Sequence, residues 1–204
     1  MLRVKICGIT TVSDAKAAAD LGADAIGVIF AKSPRQVTLD TAQKISRAAG
    51  PWVSVVGVFV DESAEKVLRI ARECGLTALQ LHGKESAEDI KKFSDFRVIK
   101  TFHVNGEFRP GVLKNYEEAS AYLFDTKFGE QIGGTGRTFD WKILKNVEAK
   151  KPVIISGGLH PKNVAQAVRF FKPYGVDVSS GVEKSPGKKD WKLVKEFIQN
   201  AKKV

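Results

Sequence analysis

The sequence predicts an α/β fold, and within that class a single-domain (β/α)8 TIM barrel of near-minimal length over residues 1–204. Eight short apolar segments are each followed by a segment with helical spacing, and the units recur about every 25 residues. Strands that alternate with helices form parallel sheets with right-handed crossovers. Eight such units without a linker or a break in composition suit a closed barrel. An open doubly wound sheet is the alternative, because it needs no eighth strand.

The strand segments are rich in β-branched and aliphatic residues, which favour extended backbone. The predicted strands cover 3–6, 25–30, 52–60, 78–82, 97–102, 122–125, 152–156 and 176–178. The third ends in VSVVGVFV, an apolar run typical of a strand buried on both faces. The eighth is short and gives the weakest strand signal.

The helix segments follow from capping residues, from apolar periodicity and from glycines that end them. The predicted helices cover 13–21, 38–49, 61–74, 86–93, 111–119, 139–147, 161–171 and 189–201. Candidate first residues of the first three helices are Ser13 or Asp14, Thr38 or Asp40, and Asp61 or Ser63. Gly22 and Gly75 are suitable C-caps for the first and third.

Charge and composition limit the partners. The formal net charge of +10 fits either nucleic-acid binding or attraction of an anionic substrate. The basic residues are spread along the chain without interleaved aromatics, so we expect no nucleic-acid partner. Two cysteines form neither a disulfide framework nor a metal motif. No apolar run reaches the roughly 18 residues of a membrane span, and no signal peptide is visible, so a cytoplasmic protein without a membrane partner is expected.

In a (β/α)8 barrel the active site lies at the carboxyl ends of the strands. Polar and titratable residues cluster there, although none of them identifies an active site by itself. They are Cys7 after strand one, Arg35 on the loop that follows strand two, Gln80 and His82 at strand four, and Asp125 at strand six. Strand seven adds Ser156, Gly157 and Gly158, and strand eight adds Asp177, Ser179, Ser180 and Gly181.

The loops after strands seven and eight read ISGG and VSSGVE and suit a phosphate group. Barrels often bind phosphate there, since glycines let backbone N–H groups approach an anion and serines add hydroxyl donors. Two such adjacent loops favour phosphate binding over a plain tight turn. The glycine segment 129–136 matches neither nucleotide motif, because Gln131 and Phe139 stand where small residues are needed. We interpret that segment as a lid, with a surface loop as the alternative.

Cys7 and Asp125 are the candidate acid–base pair. A free thiol titrates at about 8.5, near enough to neutral to act as a base. A carboxyl group acts as an acid when burial raises its pKa, and Asp125 follows the apolar residues 122–124. The alternatives are that Cys7 is a small buried hydrophobe, the role we assign to Cys74, and that Asp125 caps a helix or loop.

The other rim residues have supporting roles. Arg35 suits a bidentate grip on a ligand carboxylate, and a solvated surface charge is the alternative. Asp177 either binds a sugar hydroxyl or caps a loop. His82 is expected, with Gln80, to support the catalytic groups rather than to act on the substrate.

Nine separated motifs occur in order along nearly the whole chain. They are KICGIT at 5–10, SPR at 33–35, VGVFV at 56–60, LQLHG at 79–83, FDT at 124–126, GGTGRTFDW at 133–141, ISGGLHP at 155–161, DVSSGVE at 177–183 and PGKKD at 186–190. In this combination the chain closely resembles the phosphoribosylanthranilate isomerases of tryptophan biosynthesis. Each motif is weak alone, and the set is specific.

The resemblance implies an Amadori rearrangement of N-(5-phosphoribosyl)anthranilate to 1-(o-carboxyphenylamino)-1-deoxyribulose 5-phosphate, with no metal and no cofactor. By position it implies that Cys7 is the base that removes the C2 proton and Asp125 the acid that protonates the ring oxygen. Arg35 then binds the anthranilate carboxylate, Asp177 lies beside the sugar, and the two small-residue loops form the phosphate cradle. A monomer and a homodimer are both compatible with the resemblance.

Two other phosphosugar barrels are the enzymatic alternatives. A metal-dependent epimerase is disfavoured, because His82 is the one histidine of three expected to end a core strand. A barrel similar to indole-glycerol-phosphate synthase would use a catalytic lysine, for which Lys100 near the end of strand five is the candidate.

Overall fold

The fold is a closed ring of eight parallel strands in chain order. A computed structural model describes residues 1–104, 108–125, 144, 147 and 149–204. The ring strands are β1 (Arg3–Cys7), β2 (Ala25–Ile29), β3 (Ser54–Phe59), β4 (Ala78–Leu81), β5 (Arg97–His103), β6 (Ala121–Asp125), β7 (Val153–Ser156) and β8 (Gly175–Val178). Strand β8 pairs with β1 from Arg3↔Gly175 to Ile6↔Val178 and closes the ring. The predicted barrel is therefore confirmed, including its eighth strand, and the open sheet is wrong.

The helices pack around this ring. They are α1 (Val12–Asp20), α2 (Leu39–Ala49), α3 (Ala64–Cys74), α4 (Ala87–Lys91), α5 (Val164–Phe171) and α6 (Trp191–Lys202). The expected helix at 111–119 is a 3-10 helix over Pro110–Tyr116. The expected helix at 139–147, apart from Leu144 and Val147, and the segment 129–136 lie outside the described residues. None of the described helices is both long and apolar enough to cross a membrane.

Side-chain caps begin most of these helices. Thr38 and Ser63 accept hydrogen bonds from the backbone N–H groups of Thr41 and Lys66, as the sequence predicts. For α1 the predicted cap is wrong. Thr11 is the N-cap and accepts from the N–H of Asp14 at 3.1 Å, so the helix begins before Ser13.

The barrel interior changes from apolar to polar along its axis. Small and aliphatic side chains fill the amino end, namely Val56, Ala78, Ile99, Ala121, Leu123 and Ile154. Because side chains alternate along a strand, the next inward positions carry Lys5, Gln80, Thr101 and Asp177, all buried. A larger apolar core lies between the strands and the helices. Polarity is thus concentrated beneath the carboxyl ends of the strands.

A two-stranded antiparallel ribbon follows the barrel and was not expected from the sequence. It consists of β9 (Glu183–Ser185) and β10 (Lys188–Lys189), joined at Gly187, which has a φ of 79°. The hydroxyl of Thr10 donates to the Gly187 carbonyl at 2.5 Å, so the ribbon is tied to the loop after β1. Because Lys189 belongs to β10, the last helix begins at Trp191 rather than at Lys189.

Candidate active site

The carboxyl ends of the strands bring the predicted residues to one rim. Cys7, Asp125 and Ser156 are the last residues of β1, β6 and β7. In the ring, β6 lies three strand positions from β1 in one direction and five in the other. The thiol of Cys7 and the carboxyl group of Asp125 therefore stand on roughly opposite sides of the barrel mouth.

The two small-residue loops form one side of this mouth. They enclose a cavity of about 90 Å³. Its lining is Asp125, Ser156, Gly157, Gly158, Leu159, Asp177, Val178, Ser179, Ser180 and Gly181. Gly157 and Gly158 have φ values of 87° and 64°, which side chains other than glycine rarely adopt. The structure thus gathers all five predicted cradle residues around one space.

The Ser179 side chain has a hydroxyl group that forms no hydrogen bond with the described residues. The Oγ of this hydroxyl is buried. A buried hydroxyl without a partner costs roughly 1–3 kcal/mol. The cost is removed when a ligand oxygen occupies the space beside it. This hydroxyl is therefore independent support for an anion at the cradle.

Cys7 is buried, with 6 % of its surface exposed. Burial raises the pKa of its thiol above the ordinary value, and the charge of Asp177 adds to the rise, while the positive charges of Lys5 and Lys189 oppose it. The fold alone therefore does not lower the thiol pKa toward neutrality, and the cations only limit the effect of burial.

Lys5 is a site residue that the sequence interpretation missed. Its ammonium donates to Asp177 Oδ1 and to Gln80 Oε1, both at 2.9 Å. Burial alone would lower the pKa of Lys5, but the carboxylate of Asp177 and the neighbouring Cys7 raise it overall. The signal was available, because Lys5 lies two residues before Cys7 and so shares its inward face.

Gln80 and His82 link Lys5 to the other side of the mouth. The amide nitrogen of Gln80 lies 2.9 Å from His82 Nδ1, and the Thr101 hydroxyl lies 3.2 Å from the same nitrogen. His82 Nε2 lies 3.3 Å from Asp125 Oδ2. Asp125 itself is 9 % exposed, in agreement with the expected partial desolvation. Gln80 and His82 thus lie beneath the rim, next to the candidate acid.

Arg35 already holds a carboxylate within the chain. Its Nε and Nη2 donate to the two oxygens of Glu183 at 2.8 and 2.6 Å. This bidentate bond raises the pKa of Arg35. For Glu183, burial would raise the pKa, but the hydrogen bonds from Arg35 and Lys189 lower it overall. Arg35 is therefore an ordered, partly buried fork at the rim rather than a solvated surface charge.

Lys189, which is buried, completes a charged cluster with the partly buried Arg35 and Glu183. Its Nζ donates to Glu183 Oε1 at 2.7 Å and to the Ser179 carbonyl at 3.3 Å. Burial lowers the pKa of Lys189 despite the attraction of Glu183. With Lys5 and Asp177 counted as well, three cations and two carboxylates form ion pairs on the Cys7 side of the mouth, and the charges of Lys5, Lys189, Arg35 and Asp177 act on Cys7. The charged forms sum to +1, so this side of the mouth favours an anion.

His103 corrects the expectation that a single histidine ends a core strand, because it is the last residue of β5. One ligand atom each of His82, His103 and Asp125 lie within 4.8 Å of one another. Two histidines and a carboxylate are a set that binds transition metals. However, Lys5 donates to the Gln80 oxygen, so the amide nitrogen of Gln80 faces His82 Nδ1, and an Nδ1 that accepts from it places the proton of a neutral ring on Nε2, the atom that faces Asp125. A metal ion at this place would have to reverse that arrangement.

Lys100 lies on the other face of β5. Its ammonium donates to Glu85 Oε2 and to the Gly83 carbonyl, both at 2.7 Å, and lies 5.9 Å from the Tyr116 ring centre. Since side chains alternate along a strand and Thr101 faces inward, Lys100 faces the helical layer. The candidate for a catalytic lysine therefore points away from the mouth.

A closed parallel barrel whose rim combines a thiol, a carboxyl group and two small-residue loops is typical of (β/α)8-barrel enzymes that act on small anionic substrates. Residues 4–200 match the family model described as N-(5'-phosphoribosyl)anthranilate (PRA) isomerase. The chain belongs to the phosphoribosylanthranilate isomerase family, and the resemblance seen in the sequence is confirmed.

Individual relatives agree over their full length. The N-(5'-phosphoribosyl)anthranilate isomerase of Geobacter sp. (strain M21) is 47 % identical over 205 residues, with 100 % of both chains covered. The crystal structure of phosphoribosyl anthranilate isomerase from Thermotoga maritima has a TM-score of 0.91 at 44 % identity, again with complete coverage of both chains.

Two further solved structures, each covering 100 % of both chains at 40 % identity, add detail on relatives. One is the isomerase in complex with reduced 1-(o-carboxyphenylamino)-1-deoxyribulose 5-phosphate, with a TM-score of 0.86. The other contains monomers generated from the dimeric Thermotoga maritima isomerase, with a TM-score of 0.85.

Proposed function

We propose that this chain converts N-(5'-phosphoribosyl)anthranilate into 1-(o-carboxyphenylamino)-1-deoxyribulose 5-phosphate in tryptophan biosynthesis, in the cytoplasm, by acid–base catalysis without a metal or cofactor. One observation carries the proposal. Cys7 and Asp125 stand on opposite sides of one mouth, and Asp125 also lines the cavity between the two small-residue loops. A phosphosugar anchored by its phosphate in that cavity would place its ring between the two groups.

Phosphate binding comes first in the proposed mechanism. The cradle of Gly157, Gly158, Ser179, Ser180 and Gly181 takes the phosphate, and the Ser179 hydroxyl gains the partner that it lacks in the fold. The overall charge of +10 attracts a substrate that carries a phosphate and a carboxylate. Anchoring at this end fixes the sugar for the proton transfers.

Ring opening is assigned to Asp125. Its carboxyl proton passes to the furanose ring oxygen while the bond from that oxygen to C1 breaks. The nitrogen lone pair of the anthranilate forms a double bond to C1, which gives a cationic Schiff base and leaves Asp125 as a carboxylate. Asp125 is nearly buried beside His82, which suits a group that must hold its proton until the substrate arrives.

Proton removal from C2 is assigned to Cys7. The thiolate takes the C2 proton, and the C–H electron pair forms a C1–C2 double bond and neutralises the Schiff base nitrogen. The resulting enolamine then tautomerises to the ketone product. Because burial raises the thiol pKa, the thiolate needs nearby positive charge. Lys5 and Lys189 supply part of it, and the cationic Schiff base supplies the rest at the moment of reaction.

Substrate carboxylate recognition is assigned to Arg35. Glu183 engages the Nε and Nη2 side of its guanidinium. The remaining Nη1 donors can bind the anthranilate carboxylate while Glu183 fixes the orientation of the guanidinium plane. Asp177, which is fixed by Lys5 and by the Ser156 hydroxyl at 3.2 Å, lines the cavity beside the sugar position.

We also propose a homodimer formed at the amino end of the barrel. The dimeric Thermotoga maritima relative supports a dimer in this family. Trp52 is 94 % exposed and lies beside a cavity of about 430 Å³ at the amino ends of the strands, and a large exposed aromatic side chain suits an interface. Trp52→Ser should lower the mass measured by light scattering toward that of a monomer, whereas Trp191→Ser on α6 should not. A wild-type chain that is monomeric would contradict the proposal.

The catalytic proposal is tested by complementation and by kinetics. The gene should restore growth without tryptophan to a strain that lacks this isomerase. Purified Cys7→Ser and Asp125→Asn should each lose at least about 100-fold in kcat, the range expected for one lost general acid or base. Cys74→Ser, on α3, is the matched control and should keep the wild-type rate. If Cys7→Ser and Asp125→Asn both stay near the wild-type rate, the assignment is wrong.

A further inference from the structure

Lys5 fixes the orientation of the Gln80 amide. An ammonium group only donates hydrogen bonds, so the atom of Gln80 that lies 2.9 Å from Lys5 Nζ must be the carbonyl oxygen. The amide nitrogen then points the other way, toward His82 Nδ1 at 2.9 Å. Lys5 is itself held by Asp177 at 2.9 Å. Lys5, Gln80 and Asp177 are all nearly fully buried, so solvent offers no competing partner.

The amide orientation determines the tautomer of His82. Because Gln80 presents N–H donors to Nδ1, that nitrogen must be the acceptor, and a neutral ring then carries its proton on Nε2. The opposite tautomer would place two donors 2.9 Å apart. Nε2 faces Asp125 Oδ2 at 3.3 Å, a separation that is long for a hydrogen bond. Contacts of this kind in sites without substrate commonly tighten once it binds.

We propose that Lys5 and Gln80 are positioning residues that hold His82 as its Nε2–H tautomer, and that this tautomer determines which oxygen of Asp125 carries the acid proton. The inference rests on the proposed function, in which Asp125 is the general acid. An N–H group beside Oδ2 excludes the proton from that oxygen, so the proton resides on Oδ1. When the proton leaves, the same N–H stabilises the carboxylate that remains.

The opposite tautomer would inhibit the reaction. A lone pair on Nε2 would draw the carboxyl proton onto Oδ2, between Asp125 and His82 and away from the sugar. Asp125 would then still be protonated, but its proton would not face the ring oxygen of the sugar. Lys5 thereby affects both proposed catalytic groups. Its charge limits the rise of the Cys7 pKa, and its hydrogen bond to Gln80 selects the His82 tautomer beside Asp125.

The tautomer can be measured directly in the wild-type chain. Long-range 1H–15N correlation spectra of uniformly 15N-labelled protein distinguish protonated from unprotonated ring nitrogens. The chain has three histidines, and the variants His103→Gln and His160→Gln assign the remaining ring. We expect His82 at neutral pH to show an unprotonated Nδ1 and a protonated Nε2. A protonated Nδ1 would overturn the proposal without any reference to activity.

Two variants of Gln80 connect the tautomer to the rate. Gln80→Glu replaces the donor with a carboxylate that only accepts, so His82 should reverse its tautomer and kcat should fall about 100-fold. Gln80→Met removes the amide donor that favours one tautomer of His82. We therefore expect a mixture of tautomers, with kcat lowered about 10-fold. In both variants KM should stay within about threefold, because the phosphate and carboxylate sites are untouched. Gln199→Glu, on the exposed face of α6, is the control and should match the wild type.

The outcomes separate this inference from the proposed function. Gln80→Glu with a reversed tautomer but a wild-type kcat overturns the positioning role, as does a kcat loss without any tautomer change. If Asp125→Asn keeps the wild-type rate, the proposed function fails, whatever tautomer His82 adopts. If a Gln80 variant does not fold, the wild-type spectrum still decides the tautomer.

Discussion

Replacing Gly27 with alanine tests whether Cys7 and Lys5 must keep their positions at the base of the mouth. A Cβ on Gly27 would lie 2.7 Å from Cys7 Sγ and 3.1 Å from Lys5 Nζ. Ordinary contacts are about 3.5–4.0 Å, so the sulfur has to move by roughly 1 Å. Gly27 does not have a positive φ, and alanine therefore adds no backbone strain. Any effect comes from the displaced side chains.

The expected loss of activity exceeds the expected loss of stability. Overpacking a buried site costs about 1–3 kcal/mol, which for a chain of this size lowers Tm by about 2–4 °C per kcal/mol. A displacement of about 1 Å at a reacting group can reduce the rate about 100-fold. The folded Gly27→Ala variant should therefore show kcat/KM reduced by about two orders of magnitude.

Steady-state kinetics and thermal unfolding of the same preparation measure both quantities. Gly111→Ala is the matched control, because a Cβ there meets nothing within 4 Å and the backbone needs no positive φ. It should keep the wild-type kcat/KM and Tm. A Gly27→Ala variant that is folded and retains full activity would refute the reasoning, since the thiol would then tolerate displacement and could not be the positioned base.

Three further predictions follow from the site. Ser179→Ala should raise KM about 10-fold or more without loss of stability, because the hydroxyl has no described partner until a phosphate accepts its hydrogen bond, worth about 1.5–3 kcal/mol for a charged acceptor. Glu183→Gln should lower the free energy of unfolding by about 3–5 kcal/mol in denaturant titrations, since it leaves Lys189 and Arg35 without their shared carboxylate; an unchanged midpoint would contradict this. Because burial raises the Cys7 pKa, the unfolded thiol ionises first as pH rises. The stability that Cys7 contributes is thus complete below about pH 8.5 and declines above it. Tm should therefore fall more between about pH 8 and pH 10 in the wild type than in Cys7→Ser, and equal slopes would contradict the raised pKa.

The architecture was readable from the sequence because each strand carries its own apolar signal. Strand β8 was the weakest, and its pairing with β1 confirms it. The start of α1 was misplaced because Thr11, Ser13 and Asp14 can all cap a helix, and only the backbone selects among them. The ribbon of β9 and β10 gave no signal, because short charged strands lack periodicity and depend on tertiary contacts such as that of Thr10 with Gly187.

Site residues were predictable where position on a strand decides their location. Because side chains alternate along a strand, Lys5 lies on the same face of β1 as Cys7. The sequence therefore indicates Lys5 as a site residue, although Lys5 is not among the predicted site residues. Partnerships between distant residues were not predictable. Arg35 and Glu183 are 148 positions apart in the chain, and nothing local to either residue identifies the other. The tautomer of His82 likewise depends on a side chain that only the barrel brings near.

The bond between Lys5 and Asp177 joins residues 172 positions apart, and this separation has a consequence for synthesis of the chain. A growing polypeptide presents Lys5 and Cys7 early, yet Asp177, which binds Lys5, and Lys189, whose charge acts on Cys7, emerge only near the end of translation. Until then, β1, which carries the proposed base Cys7, has no β8 beside it and one unpaired edge. We therefore expect activity to appear during refolding only when the first and last strands pair, and not with any earlier formation of helices.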